Sequence, residues 1–364
     1  MDFTLDDDQR AVADLAAEVL DREVTADRPG GAEHRDEPAW DEPVWRALAK
    51  AGLLALTLPP ELDGDGLGML ETALVLTEVG RAAAPVPALS ALALGVLPVG
   101  RLGTPEQRAT LLPPVAAGEA LLTAALHEPS APLPTRPVTT ATPGTAGWTL
   151  TGTVTTVPFA AAAERILVPA TGPDGAAVFL VDPRAAGVTV VPAPGAAGAA
   201  VRLDRADAEP LGRPDRADAV AVLHRHALAG AAALGAGALA GALDLTTRHV
   251  AERHQFGRPL AAFQAVAQQV ADVYVAARTL RLAALSAAWR LSTGADPDSD
   301  LEVAAYWLAE EAPRALATCH HLHGGLGVDV TYPLHRHYTT VKDLTRCVGG
   351  AAHRLDRLGE RVAG

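Results

Sequence analysis

Arg253-His254-Gln255-Phe256-Gly257-Arg258-Pro259-Leu260, followed by Phe263-Gln264, is the stretch from which the chain is best read. Part of it is ordinary helix termination: an arginine near the last turn, Gly257 just past the end, and Pro259 as the stop. That leaves Gln255, Phe256 and Gln264 without a reason. An arm that leaves the helix and reaches outward accounts for them, its guanidinium offering a planar fork for phosphate.

Downstream lies His320-His321-Leu322-His323-Gly324-Gly325-Leu326-Gly327. Three histidines in four residues suggest a metal, but no Cys-x-x-Cys or His-Glu-x-x-His accompanies them, and residues this close rarely ligate one ion. No metal is expected. The glycines offer a better reading: a Gly-Gly turn lets backbone approach a cofactor and point N–H groups at phosphate. Next, Tyr332-Pro333-Leu334-His335-Arg336 reads as a turn followed by a short helix.

Outward from these motifs the chain has three characters. After about 222 it is helical, with Phe263, Val266, Val270, Val273, Ala277 and Leu280 stepping by three and four, and Ser292 to Asp300 as an inter-helix turn. Glycines at 230, 235, 237 and 241 cost helix propensity. They imply close approach by neighbouring helices or by a ligand; a bulky acyl group is one candidate. From about 120 to 220, Trp148 to Val154, Ile166-Leu167-Val168, Ala177 to Val181 and Val188 to Val191 are short runs punctuated by Gly and Pro. They predict a small antiparallel barrel or sandwich. Up to about 115 the reading is helical again. Thr4 with Asp7 resembles a capping box, and Val12, Leu15, Ala16, Val19 and Leu20 form one stripe. Trp45, Leu48, Leu53 and Leu54 precede a Pro59-Pro60 break, Asp63-Gly64-Asp65-Gly66 is a turn, and a helix is expected near Leu70 to Arg81. The expected domains are 1–118 (α-helical), 119–222 (β) and 223–364 (a helical bundle).

Composition narrows the classes. The chain has 364 residues, 49% apolar and 20% charged, which excludes overall disorder. A net charge of −13 with no basic stripe argues against nucleic acid as partner. Cys319 and Cys347 are the only cysteines, too few for a disulfide framework, and the first residues carry no basic n-region, so a cytoplasmic location is expected. The uncharged runs Ala82 to Gly100, with Pro85, Pro87 and Pro98, and Ala227 to Leu243 read as buried or loop segments, not membrane spans.

The three motifs, in this order on an α–β–α chain, resemble the acyl-CoA dehydrogenase family of FAD flavoproteins. Met1-Asp2-Phe3-Thr4-Leu5-Asp6-Asp7-Asp8-Gln9, Leu53-Leu54-Ala55-Leu56 through Asp65-Gly66-Leu67-Gly68, and Glu78-Val79-Gly80-Arg81 extend the likeness over nearly the whole chain. The resemblance implies an α+β fold: an N-terminal helical domain, a central small β-barrel or sandwich, and a C-terminal four-helix bundle. It implies desaturation of an acyl-CoA thioester, in which a glutamate takes the α-proton and flavin N5 accepts the β-hydrogen as hydride. An electron-transfer flavoprotein is the implied electron acceptor. In the family the arm and the glycine loop contact the ADP half of a flavin in a neighbouring subunit; here those residues are Arg253, Gln255, Phe256, Gln264, His321, Gly324 and Gly325. His321 stands where glutamine is usual.

The chain departs from the family at the base. Counting from Tyr332-Pro333, the family's Tyr-Glu-Gly-Thr step falls on Cys347-Val348-Gly349-Gly350, and the alternative base position, counted back from Arg253, falls on Ala227. Neither carries a carboxylate. His224, Arg225 and His226 stand nearby, either as an unusual histidine base or, more simply, as a solvated helix start. Glu360 is too far along the chain to serve without a gap. Thr-Glu-Pro-x-Ala-Gly-Ser-Asp becomes His127-Glu128-Pro129-Ser130-Ala131-Pro132-Leu133-Pro134, and Lys-x-Trp-Ile-Thr becomes Val154-Thr155-Thr156-Val157-Pro158. Proline there has no N–H for a flavin atom. The expected protein is the base-lacking half of an α2β2 enzyme whose partner subunit carries the glutamate. Two readings stay open beside it: a self-sufficient homomer with an unusual base, and a non-redox scaffold or CoA-ester binder.

Overall fold

The computed structural model describes residues 3–24, 40–145, 147–192 and 198–363; Met1 and Asp2 of the opening likeness lie outside the described residues. Helices α1 (Asp7–Glu23), α2 (Glu42–Lys50), α3 (Met69–Arg81), α4 (Leu97–Leu102) and α5 (Pro105–Ala116) come first. Strands follow: β1 (Leu122–Ala124), β2 (His127–Glu128), β3 (Ala131–Pro132), β4 (Thr140–Gly144), β5 (Gly147–Pro158), β6 (Arg165–Gly172), β7 (Gly175–Val181), β8 (Val188–Pro192) and β9 (Gly198–Pro210). Then come α6 (Ala219–Glu252), the short strands β10 (His254–Gln255) and β11 (Arg258–Pro259), α7 (Gln264–Thr293), α8 (Asp298–His323), α9 (Leu334–Cys347) and α10 (Ala351–Ala363). This is the expected order of helices, strands and helices. The chain forms two compact units, one of Met1–Val44, Ala73–Val86 and Leu228–Gly364, the other of Trp45–Thr72 and Pro87–Ala227.

In the first unit α1 is capped by Asp6, not Thr4. The Asp6 carboxylate accepts from Gln9 N–H at 2.8 Å and Gln9 Oε1 accepts from Asp6 N–H at 3.2 Å. Aspartate with glutamine three residues on completes both halves of the box. Ala16, Val19 and Leu20 of the predicted stripe are buried, while Leu15 is 40% exposed.

The glycines of α6 have a definite use. A Cβ on Gly237 would lie 1.8 Å from the Thr77 carbonyl oxygen, one on Gly241 2.2 Å from the Arg81 oxygen, and one on Gly80 2.0 Å from the Leu234 oxygen. A Cβ on Gly235 would meet Leu308 Cδ1 at 2.3 Å. So α3 and α6 touch backbone to backbone at Gly80, Gly237 and Gly241. Across this seam the Thr77 hydroxyl donates to the Ala233 carbonyl at 3.3 Å. Among the described residues α6 is the one helix long and apolar enough to cross a membrane by length and composition, and most of it is buried inside the fold. Between α7 and α8 the predicted turn is present, with Gly294 at φ +73° ending α7. The helix after Tyr332-Pro333 is longer than expected, 14 residues.

In the second unit the strands close on themselves. β5 pairs with β4, β4 with β6, β6 with β7, β7 with β9, and β9 returns to β5. The ring is antiparallel except where β4, and β1 outside it, run parallel to β6. It encloses Leu150, Val154, Ile166, Val168, Phe179, Val201 and Leu203. The run 82–100 is largely buried, as expected, and mostly helical: a wide π-helical stretch, Leu89–Val96, continues into α4. Gln107 ties α5 to the end of β9. It completes the Thr104 cap, its amide donates to the Pro210 carbonyl at 2.8 Å, and its oxygen accepts from Gly212 N–H at 2.9 Å.

Candidate functional site

The arm is a β-hairpin. α6 ends at Glu252, His254↔Pro259 and Gln255↔Arg258 pair, and Phe256 (φ 52°) and Gly257 (φ 78°) form the two-residue turn. Two positive φ values in succession match the tight turn that suits a hairpin's twist. Glycine accepts that conformation freely, whereas phenylalanine is strained by it. Gly257 therefore serves the hairpin turn and is not a helix cap. Phe263 stiffens the base: the Arg258 guanidinium lies 4.0 Å above its ring and the Phe256 ring meets it edge-on at 6.2 Å. Phe256 is 91% exposed. Arg253, Gln255 and Gln264 are exposed, and among the described residues the Arg253 guanidinium has no ion pair.

The glycine loop leaves the end of α8. Gly324 takes φ 59°, ψ −136°, open only to glycine, and its N–H is shared by the His320 and His321 carbonyls. A Cβ at Gly324 or Gly325 would touch nothing within 4 Å, and His321, Gly324 and Gly325 are all exposed. The loop comes to the arm through two histidines. His249, one turn before Arg253, stacks on His323, with ring centroids 4.5 Å apart and planes 19° apart. Thus the arm and the loop start from the same end of the first unit. Nothing in the sequence marks His249, because its partner comes from another helix. Among the described residues no group of three or more His, Cys, Asp or Glu could hold a metal ion.

Val348, where the count from Tyr332-Pro333 leads one to expect the family's base, is fully buried and closes α9 before Gly349 (φ 85°) and Gly350 (φ 82°). Beside it burial pushes the Cys347 thiol up to about 12, so this thiol stays protonated and is no proton acceptor. Buried under the same turn, Arg354 Nη1 donates to Glu302 Oε2 at 2.9 Å, and the Arg354 N–H donates to the Gly350 carbonyl.

In the second unit Ala227 is buried on α6. The histidines before it are not a solvated helix start: His224 is buried and His226 half-buried. His226 Nδ1 donates to the Val222 carbonyl at 2.8 Å, and burial drives the ring down to about 4. So weak a base is poorly matched to an α-proton. The Glu128 carboxylate is fully used, accepting from Val138 N–H at 2.7 Å and from Thr139 N–H and Oγ1 at 2.6 Å each. Pro158 adds no N–H, and its carbonyl accepts from Thr123 Oγ1 at 2.8 Å. Glu360 is exposed on α10, paired with Arg357.

An N-terminal domain model of the acyl-CoA dehydrogenases matches residues 6–119, and a C-terminal domain model of the same family matches residues 222–362. The chain belongs to the acyl-CoA dehydrogenase family. Acyl-CoA dehydrogenase FadE28 of Mycobacterium tuberculosis is 44% identical over 100% of this chain and 99% of its own length. The Tcur3481-Tcur3483 steroid ACAD superposes with a TM-score of 0.91 at 37% identity, covering 99% of each chain. The ChsE4-ChsE5 complex from Mycobacterium tuberculosis superposes at 0.90 with 33% identity, covering 100% of this chain and 99% of that one. This acyl-CoA dehydrogenase chain shares the family's fold and its FAD-dependent oxidoreductase class. Among the described residues the Arg253 guanidinium has no ion pair, and a Cβ at Gly324 or Gly325 would meet nothing within 4 Å, a combination that fits a diphosphate. In the strand region Pro158 offers no N–H, and both Glu128 carboxylate oxygens accept hydrogen bonds.

The buried histidines give this acyl-CoA dehydrogenase an acid limit. His337, 3% exposed, is held down to about 4 by desolvation, like His226. The folded state prefers both rings neutral. Their contribution is complete above the ordinary histidine value and is lost as pH falls from there through about 4. His337 alone is worth about 3 kcal/mol over that window. Urea unfolding midpoints should hold steady from about pH 8 to 7 and fall by pH 4.5. A midpoint unchanged at pH 4.5 contradicts this assignment.

Proposed function

We propose that this chain is the base-lacking subunit of a heteromeric FAD-dependent acyl-CoA dehydrogenase, completing in trans the cofactor site of a catalytic partner. Arg253, Gln255, Phe256, Gln264, His321, Gly324 and Gly325 grip the ADP half of an FAD whose flavin lies in the partner subunit, which carries the catalytic glutamate. The bound flavin supplies the hydride acceptor. This chain's residues bind and orient: Arg253 neutralises diphosphate charge, the glycine loop lets backbone come close, and the Phe256 tip loses its 91% exposure against the partner. The observation that carries the reading is the pairing of Val348, buried where a base would stand, with an intact, exposed arm. The names of the two similar structures, a complex of two chains and a steroid ACAD, support an α2β2 assembly and a steroid acyl-CoA substrate. An electron-transfer flavoprotein then accepts the electrons, in a reducing cytoplasm.

Arg253→Ala tests the grip. The assembled complex should lose about 1.5–3 kcal/mol of FAD affinity, the worth of a charge-assisted hydrogen bond. Its apo thermal stability should change by about 0.5 kcal/mol or less, as for an exposed arginine. Full flavin content at limiting FAD contradicts the trans assignment.

Val348→Glu tests the missing base. With the partner's glutamate changed to glutamine, adding Val348→Glu should leave turnover per flavin unchanged within about twofold. The new carboxyl would be buried and held protonated, and the Pro158 strand would still lack its donor. Substantial rescue would show that this chain holds a working flavin pocket of its own.

A further inference from the structure

The proposed grip needs two separate elements, the arm after α6 and the loop after α8, held at a fixed spacing. One side chain joins both. His323 is the last residue of α8 and is 5% exposed. Its Nδ1 donates to the Cys319 carbonyl at 2.8 Å. That leaves the Nε2 lone pair to accept the Tyr332 hydroxyl at 3.1 Å. One face of its ring lies on His249, a turn before Arg253. So the loop from Gly324 to Thr331 is pinned at both ends, by His323 and Tyr332, and the same ring fixes the arm's parent helix. Inside the loop, the Asp329 carboxylate accepts from Thr331 N–H and Oγ1 at 2.8 Å each.

We propose that His323, stacked on His249 and hydrogen-bonded to Tyr332, is the positioning residue that sets the Arg253 arm and the Gly324–Gly325 loop for the ADP half of FAD, and that it loosens the grip in acid. This rests on the trans-FAD reading above and adds a residue and a pH dependence to it.

The chemistry needs both rings neutral. An Nδ1-protonated, neutral His323 accepts from the tyrosine, whereas a cationic ring turns that hydrogen bond around. Two imidazolium rings in face contact repel. The surrounding charges are mixed. On α6, Arg248 and Glu252 act on Tyr332, while Glu252 and Arg253 act on His249. On α8, His320 acts on His323, and His335 of α9 acts on His320. Burial and the neighbouring rings and arginine hold His249 and His323 below the ordinary histidine value. The neutral arrangement is therefore complete above that value and is lost as pH falls through the lowered ones.

The test is FAD affinity of the complex with its partner subunit, measured by flavin fluorescence between about pH 8 and 5.5. Apo melting temperatures are recorded alongside. The wild-type complex should bind FAD about tenfold more weakly at the acid end. His323→Ala should raise Kd about tenfold at pH 8. His323→Gln, which can still meet the Tyr332 hydroxyl but cannot titrate, should bind within about twofold of wild type at pH 8 and show a flattened pH profile. Wild-type affinity for His323→Ala at pH 8 would overturn the positioning role, as would an unaltered pH profile for His323→Gln. So would a loss of apo stability equal to that of the FAD-bound form, since a purely structural residue shifts both alike. Arg253→Ala separates the two levels. If it weakens FAD while the His323 variants do not, only this inference fails. If Arg253→Ala binds FAD as tightly as wild type, the trans reading and this inference fall together.

Discussion

Gly237→Val is expected to destabilise the chain by about 3 kcal/mol or more, enough to leave much of it insoluble. A Cβ at 237 would sit 1.8 Å from the Thr77 oxygen, 2.7 Å from the Thr77 carbonyl carbon and 2.9 Å from Arg81 N. All three are backbone atoms, so no side chain can swing aside. Relief requires α3 to move off α6, which would break the matching contacts of Gly80 and Gly241 on the same seam. Gly359→Ala is the control, since a Cβ there, on α10, meets nothing within 4 Å. It should be neutral or stabilising by up to about 1 kcal/mol. Urea unfolding of the two variants checks the pair. A Gly237→Val protein with the wild-type midpoint would contradict the backbone seam.

Arg354→Met should cost about 3–5 kcal/mol, because it strands the Glu302 carboxylate in a closed interior. The two side chains are 2% and 7% exposed, and their 2.9 Å contact is the compensation for burying both charges. Arg354→Met with Glu302→Leu should recover most of the loss, since an apolar pair of similar size leaves no charge without a partner. Equal unfolding midpoints for the single and double variants would refute this. The pair lies under the turn after Val348, so its loss should also unsettle Gly349-Gly350.

The order of helices, strands and helices was legible because each part repeats its own period: three and four in α7, short β-branched runs around the barrel. Closure of the barrel was not legible, because the β5–β9 pairing joins residues about fifty positions apart. The α6 glycines posed a choice that sequence could not decide. Only the position of α3 shows that backbone fills the space at Gly237 and Gly241. Asp6 displaced Thr4 as the cap because its carboxylate and Gln9 complete a reciprocal pair. At the candidate site the sequence marked an outward arm and a glycine turn, while the cofactor role of their residues came only from the family resemblance. The hairpin needed Phe256 in a conformation that phenylalanine seldom takes, which no propensity argument predicts. His226 was misread as solvated because α6 begins seven residues earlier, which places it against the interior.

Flavin content and turnover of this chain, purified alone and then with a family member that carries the glutamate, test the central claim most directly. The chain alone should be nearly colourless and should not turn over acyl-CoA, while the mixed complex should hold FAD in proportion to its catalytic subunit and bleach with substrate. A yellow, stoichiometrically loaded and active homomer would contradict it.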